Sequence, residues 1–135
     1  MSMNSYRVWQ SSILILLVIT SGCVSGNAVN DTVTVTRVVD GDTFKVGEKY
    51  IRLIGIDTPE KNEEYYNEST QILKNLIEGK EVVIERDKKN KDWYGRFLRY
   101  VYIDDIFVNR YMMDHGYAEL KTILPNDKYE ELLNI

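Results

Sequence analysis

The stretch Thr32-Val33-Thr34-Val35-Thr36-Arg37-Val38-Val39, then Asp40-Gly41-Asp42, Thr43-Phe44-Lys45-Val46, Gly47-Glu48-Lys49 and Tyr50-Ile51-Arg52-Leu53-Ile54-Gly55-Ile56, decides the fold. Its first run alternates in polarity and is β-branched almost throughout. Crowded Cβ atoms suit the pleated, half-buried surface of a sheet better than a helix. Asp40-Gly41-Asp42 is a turn by composition, since aspartate bonds its own backbone and glycine bends freely. Thr43–Val46 and Tyr50–Ile56 read as two further strands, and Gly47-Glu48-Lys49 closes them into a hairpin.

Beyond this stretch the periodicity changes. Asp57–Glu64 is a polar loop broken by Pro59. Tyr65–Glu78 reads as a helix, with Tyr66, Ile72, Leu73, Leu76 and Ile77 on one stripe and Gly79 as its stop. Glu81–Arg86 and Arg96–Ile103 are expected strands around a charged loop, Asp87–Gly95. A helix is expected over Val108–His115, an extended segment over Tyr117–Thr122, and a last short helix from Asn126. Three strands, a helix, two strands and a helix do not make the alternating pattern of a parallel sheet. The order suits an α+β domain that is mainly β: a five-stranded barrel with two to three packed helices.

The amino terminus has a different character. Residues 1–12 are polar with one cation, Arg7, and Ile13–Ile19 is a short apolar run. A transmembrane helix needs about 20 apolar residues, so the run has the length of a signal-peptide core instead. Thr20-Ser21-Gly22-Cys23 places small residues before a lone cysteine, similar to a bacterial lipobox in which Cys23 is lipidated. An ordinary cleaved signal, or an uncleaved anchor, is the alternative. The expected organisation is a signal peptide over 1–22, a tether over 23–31 and a globular domain over 32–135. Export to the outer face of the membrane, or secretion, follows. Cys23 is the only cysteine in the chain, so the domain holds together without an intrachain disulfide.

The 135 residues carry a net charge of −4, with 44% hydrophobic and 28% charged residues, an ordinary globular balance. Without residues 1–22 the charge becomes −5, which is not the usual footprint of a nucleic-acid binder. The charges are unevenly placed, however. Arg86–Arg99 holds Arg86, Lys88, Lys89, Lys91, Arg96 and Arg99 against Asp87 and Asp92. With Trp93 and Tyr94 it is a cationic, aromatic loop of the kind that follows a single strand and stacks its bases. A solvated charged loop is the plainer reading.

Hairpin geometry is expected to set Asp42 opposite about residue 55, bringing Asp57 close although it lies 15 positions away. Carboxylates gathered at one rim repel unless a cation sits between them, and a hard cation such as Ca²⁺ fits oxygen ligands. Turn aspartates explain Asp40, Asp42 and Asp57 as well. Arg52 lies among Ile, Leu and Gly, where a charge is costly unless paired. Arg96 follows Tyr94-Gly95. Either is a surface residue with a buried stem, or a guanidinium aimed at a phosphate.

Val38-Val39-Asp40-Gly41-Asp42-Thr43, then Arg52-Leu53-Ile54-Gly55-Ile56-Asp57-Thr58-Pro59-Glu60, then Asp92-Trp93-Tyr94-Gly95-Arg96, resemble in order and separation three signature segments of the staphylococcal nuclease (thermonuclease) family. The resemblance covers roughly residues 32–125. It implies an OB-type barrel and a Ca²⁺-dependent nuclease that cleaves DNA and RNA to 3′-phosphates. By position it implies that Asp42 and Asp57 bind Ca²⁺ by carboxylate and Thr58 by its carbonyl. Glu60 would hold the attacking water and act as general base. Arg52 and Arg96 would grip the phosphate and stabilise its growing charge. Tyr94, with Trp93 and Lys91, is the expected substrate contact, with single strands preferred and a monomer as the working unit.

The chain also departs from that family. Two tyrosines that cradle the base there have no aromatic counterpart in Leu120–Asn126, and the loop Lys61–Tyr66 is shorter. The last helix is short. His115, the only histidine, sits at a helix end and reads as a cap or surface residue. The competing function is a noncatalytic nucleic-acid- or protein-binding module of the same fold. Such a module is expected to lack part of the set Asp42, Asp57, Glu60, Arg52 and Arg96, and here all are present.

Overall fold

The computed structural model describes residues 30–135. The apolar run, the lipobox-like residues with Cys23, and most of the tether lie outside the described residues. Among the described residues, no helix is long and apolar enough to cross a membrane.

The first expected strand is two. β1 (Asn30–Thr34) pairs antiparallel with β6 (Glu81–Glu85), and β2 (Arg37–Asp40) pairs with β3 (Thr43–Val46). Between them Val35 donates to the Lys80 carbonyl at 2.9 Å and Thr36 to Lys45 at 2.8 Å, so the chain changes partner there. The buried Val35 side chain anchors the bend. Asn30 and Asp31, expected in the tether, already lie in β1.

β4 (Lys49–Leu53) closes the hairpin with β3, with Val46 opposite Lys49 and Thr43 opposite Arg52. This register corrects the expectation that Asp42 faces about residue 55. The turn is only Gly47-Glu48, so Asp42 instead accepts the Leu53 N–H at 2.9 Å. The expected strand Tyr50–Ile56 breaks at Ile54, and β5 (Gly55–Asp57) leaves the main sheet to pair with β9 (Glu119–Lys121). Gly55 has φ 83, and a Cβ there would lie 2.5 Å from Leu133 Cδ1 of α3 (Glu130–Leu133), so the kink requires glycine.

The main sheet runs β1-β6-β7-β4-β3-β2, where β7 is Phe97–Ile103, and β8 (Ile106–Phe107) pairs with β7. β4 and β7 are parallel and the other neighbours antiparallel. The architecture is α+β as expected, with a curled mixed sheet that is not closed. Among the described residues the five expected strands become nine short ones, because the chain repeatedly bends around one core. The edge strand β2 is protected: the Glu78 carboxylate accepts the Val38 N–H at 3.0 Å.

α1 (Tyr66–Ile77) buries Leu73 and Ile77, one turn apart, against β2. α2 (Val108–Asp114) buries Val108 and Met112. These side chains meet Phe44, Leu53, Ile56, Val82 and Val101 in a single core. Asn109 is fully buried and satisfied: its Oδ1 accepts the Val101 N–H at 2.9 Å, and its Nδ2 donates to Ile54 at 2.8 Å. It latches α2 to the point where β4 breaks.

Candidate active site

The turn before β3 supplies Asp42. Gly41 beside it lies so close to α1 that a Cβ would stand 2.6 Å from Ser69 Oγ and 2.8 Å from Thr58 Oγ1. Helix packing therefore sets the turn's position. Asp42 is nearly buried; its Oδ1 accepts from the Thr43 hydroxyl at 3.0 Å and its Oδ2 from the Thr58 N–H at 3.2 Å. The preceding Asp40 lines the same cavity, and its Oδ1 accepts the Asp42 N–H at 3.1 Å. Burial, and then the neighbouring Asp42 charge, push the Asp40 carboxyl up to about 6.

Arg52, from β4, is the centre of the site and is 9% exposed. Its Nη1 donates to the carbonyls of Leu53 at 2.6 Å and Ile56 at 2.9 Å. Its Nη2 lies 3.1 Å from Asp57 Oδ1 and 3.4 Å from Asp42 Oδ2. The alternative of a surface arginine is thus excluded: the buried charge is paired, and the pairing joins two carboxylates that the sequence separates. Asp57 ends β5, and its Oδ2 meets Lys121 Nζ of β9 at 3.2 Å.

Glu60 is exposed at the mouth, and its backbone N–H donates to Glu63 Oε2 at 2.8 Å. Arg96 reaches the site from the loop before β7. Asp92 holds it with one oxygen on its backbone N–H at 3.0 Å and the other on Nε at 2.7 Å. Its Nη1 is 3.4 Å from the Thr43 hydroxyl. Burial raises the Asp92 carboxyl, but the Arg96 side chain, backbone and charge, with the Tyr94 N–H, outweigh it and hold the group below its ordinary value.

Asp42, Arg52, Asp57, Glu60 and Arg96 line one cavity of about 370 Å³, large enough for a nucleotide-sized ligand. Trp93 and Tyr94 stand on its rim, 94% and 85% exposed. Lys91 points elsewhere: its ammonium lies 4.4 Å from the Phe97 ring centroid, and Lys89 lines the cavity in its place. Thr58 is buried beneath the turn, tied to Asp42 by its N–H.

Sequence reasoning missed three contributors. Asp92 orients Arg96, and its place four residues before the arginine, followed by Gly95, was the available signal. Asp40 was read only as a turn residue. Lys121 gave no signal, because strand pairing alone brings it to Asp57.

Among the described residues, no three His, Cys, Asp or Glu side chains converge as a ready-made metal cage. The donors present are the carboxylates of Asp42 and Asp57, bridged by one guanidinium nitrogen, with the Asp40 and Glu60 carboxylates lining the same cavity. That all-oxygen set fits a hard cation that accepts carbonyl and water oxygens to complete its shell.

Comparison with known proteins identifies the family. A family model described as "Staphylococcal nuclease homologue" matches residues 50–135. Arg52, Asp57, Thr58, Glu60 and Arg96 fall inside that match, and Asp42 precedes it. A thermonuclease of Staphylococcus hyicus is 36% identical over 115 residues, covering 78% of this chain and 68% of its own. An uncharacterized endonuclease of Escherichia coli is 40% identical over 89 residues, covering 62% and 57%. Endonuclease YncB of Bacillus subtilis is 35% identical over 109 residues, covering 72% and 52%. The matched portion is thus about half to two thirds of these relatives' own lengths.

Proposed function

The chain belongs to the staphylococcal nuclease family, and from that premise we propose that it is a Ca²⁺-dependent nuclease hydrolysing phosphodiester bonds of DNA and RNA to 3′-phosphates. One observation carries the reading: a single cavity gathers Arg52, Arg96, Asp42, Asp57 and Glu60 from separate parts of the chain. Hydrolysis at phosphorus needs cations aimed at the equatorial oxygens, a base for water and a polar pocket.

In this reading Arg52 is anchored by Nη1 on two carbonyls, and its Nη2, held by Asp42 and Asp57, would turn to the phosphate when the cation takes those carboxylates. The anchored guanidinium is thereby organised before substrate arrives. Arg96, oriented by Asp92, faces the phosphate from the other wall and stabilises the leaving oxygen. Glu60, exposed at the mouth, takes the proton of the attacking water. Asp42, Asp57 and, as the family resemblance implies, the Thr58 carbonyl would hold the cation, which would supply further positive charge against the phosphate. Tyr94 and Trp93 meet the strand at the rim, with Lys89 and, farther off, Lys91 drawing it in. Single strands are preferred because paired bases are not free to stack there.

Lipidation of Cys23 and attachment to the outer face of the membrane complete the proposal, supported by the apolar run and the small residues before the cysteine. A Cys23→Ala chain that still partitions with membranes overturns that part. The nuclease reading is tested with the full chain on single-stranded DNA and RNA, in Ca²⁺ and in excess chelator. Cleavage confined to the Ca²⁺ arm, with 3′-phosphate ends, is expected. A folded protein with no Ca²⁺-dependent cleavage refutes it.

A further inference from the structure

β5 and β9 pair antiparallel with Gly55 opposite Lys121 and Asp57 opposite Glu119. Opposed residues share a face, and so do residues two apart on one strand. Lys121 and Asp57 are therefore diagonal neighbours on one face, within reach of a long side chain. The Lys121 ammonium reaches Asp57 Oδ2 at 3.2 Å, with the lysine side chain 50% exposed.

The consequence concerns the charge of the site. Asp57 has Arg52 on one oxygen and Lys121 on the other. Arg52 is buried and tied to two carbonyls, so it stays in place. Lys121 has Asp57 as its only ion-pair partner among the described residues, and it lines the same cavity as Arg96 and Glu60. Of the two cations on Asp57, it is the one that a single, half-exposed ion pair holds. A divalent ion drawn to Asp57 meets that ammonium first, and a phosphate entering the cavity offers the ammonium another anionic partner.

We propose that Lys121 holds Asp57 in the metal-free protein and passes to a phosphate oxygen of the nucleic acid when a divalent cation binds. Lys121 then competes with the cation in the absence of substrate and joins the substrate grip in its presence. Cation and nucleic acid each strengthen the other's binding, by the reciprocity that linkage demands. The inference rests on the nuclease reading and its cation.

Calorimetric titration of Ca²⁺ into the metal-stripped full chain, without nucleic acid, tests the first half. Lys121→Met removes the ammonium at a half-exposed position and leaves the fold intact by circular dichroism. It is expected to bind Ca²⁺ about three- to tenfold more tightly, through loss of an exposed ion pair and of repulsion toward a doubly charged ion. Lys121→Arg should restore the wild-type value, and added salt should narrow the difference. Equal or weaker binding by Lys121→Met overturns the competition alone. Absence of Ca²⁺ binding in every variant overturns the cation reading, and the competition with it.

The second half is read from a phosphorothioate single strand bound in Ca²⁺, by anisotropy against salt. Loss of one phosphate contact should reduce the slope of log K on log salt by about 0.7 in Lys121→Met. An unchanged slope overturns the transfer to phosphate.

Discussion

Replacing Gly41 with alanine puts a methyl group where no room exists. The new Cβ would lie 2.6 Å from Ser69 Oγ, 2.9 Å from Ser69 Cβ and 2.8 Å from Thr58 Oγ1, whereas ordinary contact begins near 3.4 Å. Something must therefore move by roughly 0.8 Å. Ser69 is fully buried on α1 and cannot swing into solvent. Thr58 is tied to Asp42 by its N–H. Overpacking of this kind costs about 2 kcal/mol, which lowers the melting temperature of a domain of about 100 residues by roughly 8–16 °C. The turn carries Asp42, so the same displacement moves a proposed cation ligand, and about a tenfold or greater loss of nuclease rate should follow. Thermal and urea melts of the full chain, with rates on single-stranded DNA, measure both effects. The double variant Gly41→Ala with Ser69→Gly removes two of the three close contacts. It should recover part of the stability and rate, less about 1 kcal/mol for glycine in a helix. A Gly41→Ala protein as stable and active as wild type refutes the packing argument. So does a double variant no better than the single one.

Other outcomes follow from the same geometry. Arg96→Lys and Glu60→Gln should each reduce kcat/KM by about 100-fold or more. Glu60 is exposed, so the melting curve of Glu60→Gln should barely move, whereas Arg96→Lys also loses the Nε bond to Asp92 and should melt slightly lower; retained activity in both would refute the assigned roles. Asp92→Asn should lower stability at neutral pH and flatten its acid dependence. The folded carboxyl titrates below its ordinary 3.8, so its contribution is complete above the unfolded value and disappears as pH falls through the folded one. Wild type and variant should therefore converge in urea melts near the acid end, and a difference constant with pH would contradict this. Trp93→Ala, at a position 94% exposed, should leave folding untouched and weaken oligonucleotide binding roughly 5- to 100-fold. It should not weaken binding of an abasic chain of equal length, and anisotropy with both probes decides the matter.

Much of this was legible along the chain. The stripe Tyr66, Ile72, Leu73, Leu76 and Ile77 identified α1, and Gly47-Glu48-Lys49 identified the β3–β4 hairpin, of which Lys49 already belongs to β4. These signals are local: a helix or tight hairpin is written in residues a few positions apart. The site residues were legible for another reason. Asp42, Arg52, Asp57, Glu60 and Arg96 stand in short segments that resemble the signature segments of one family, and all five line one cavity.

What stayed hidden depends on contacts between distant segments. The expected strands broke at Val35-Thr36 and at Ile54 because Lys80, Lys45, Arg99 and Asn109 offer partners there that no local pattern announces. A two-residue difference in hairpin register set Asp42 beside Leu53. Lys91 turned to Phe97, while Lys89 took the cavity wall.

By itself, then, the sequence determined the main helix, the β3–β4 hairpin, the fold class and the set of acids and arginines, because helix, hairpin and motif are each encoded within short range. Only the tertiary structure decided how those groups are charged and paired. Arg52 bridges Asp42 and Asp57, Asp92 orients Arg96, and Lys121 reaches Asp57 across strands 64 positions apart. Electrostatic pairing acts over a few ångströms of space, and distance in space is set by packing rather than by position in the chain.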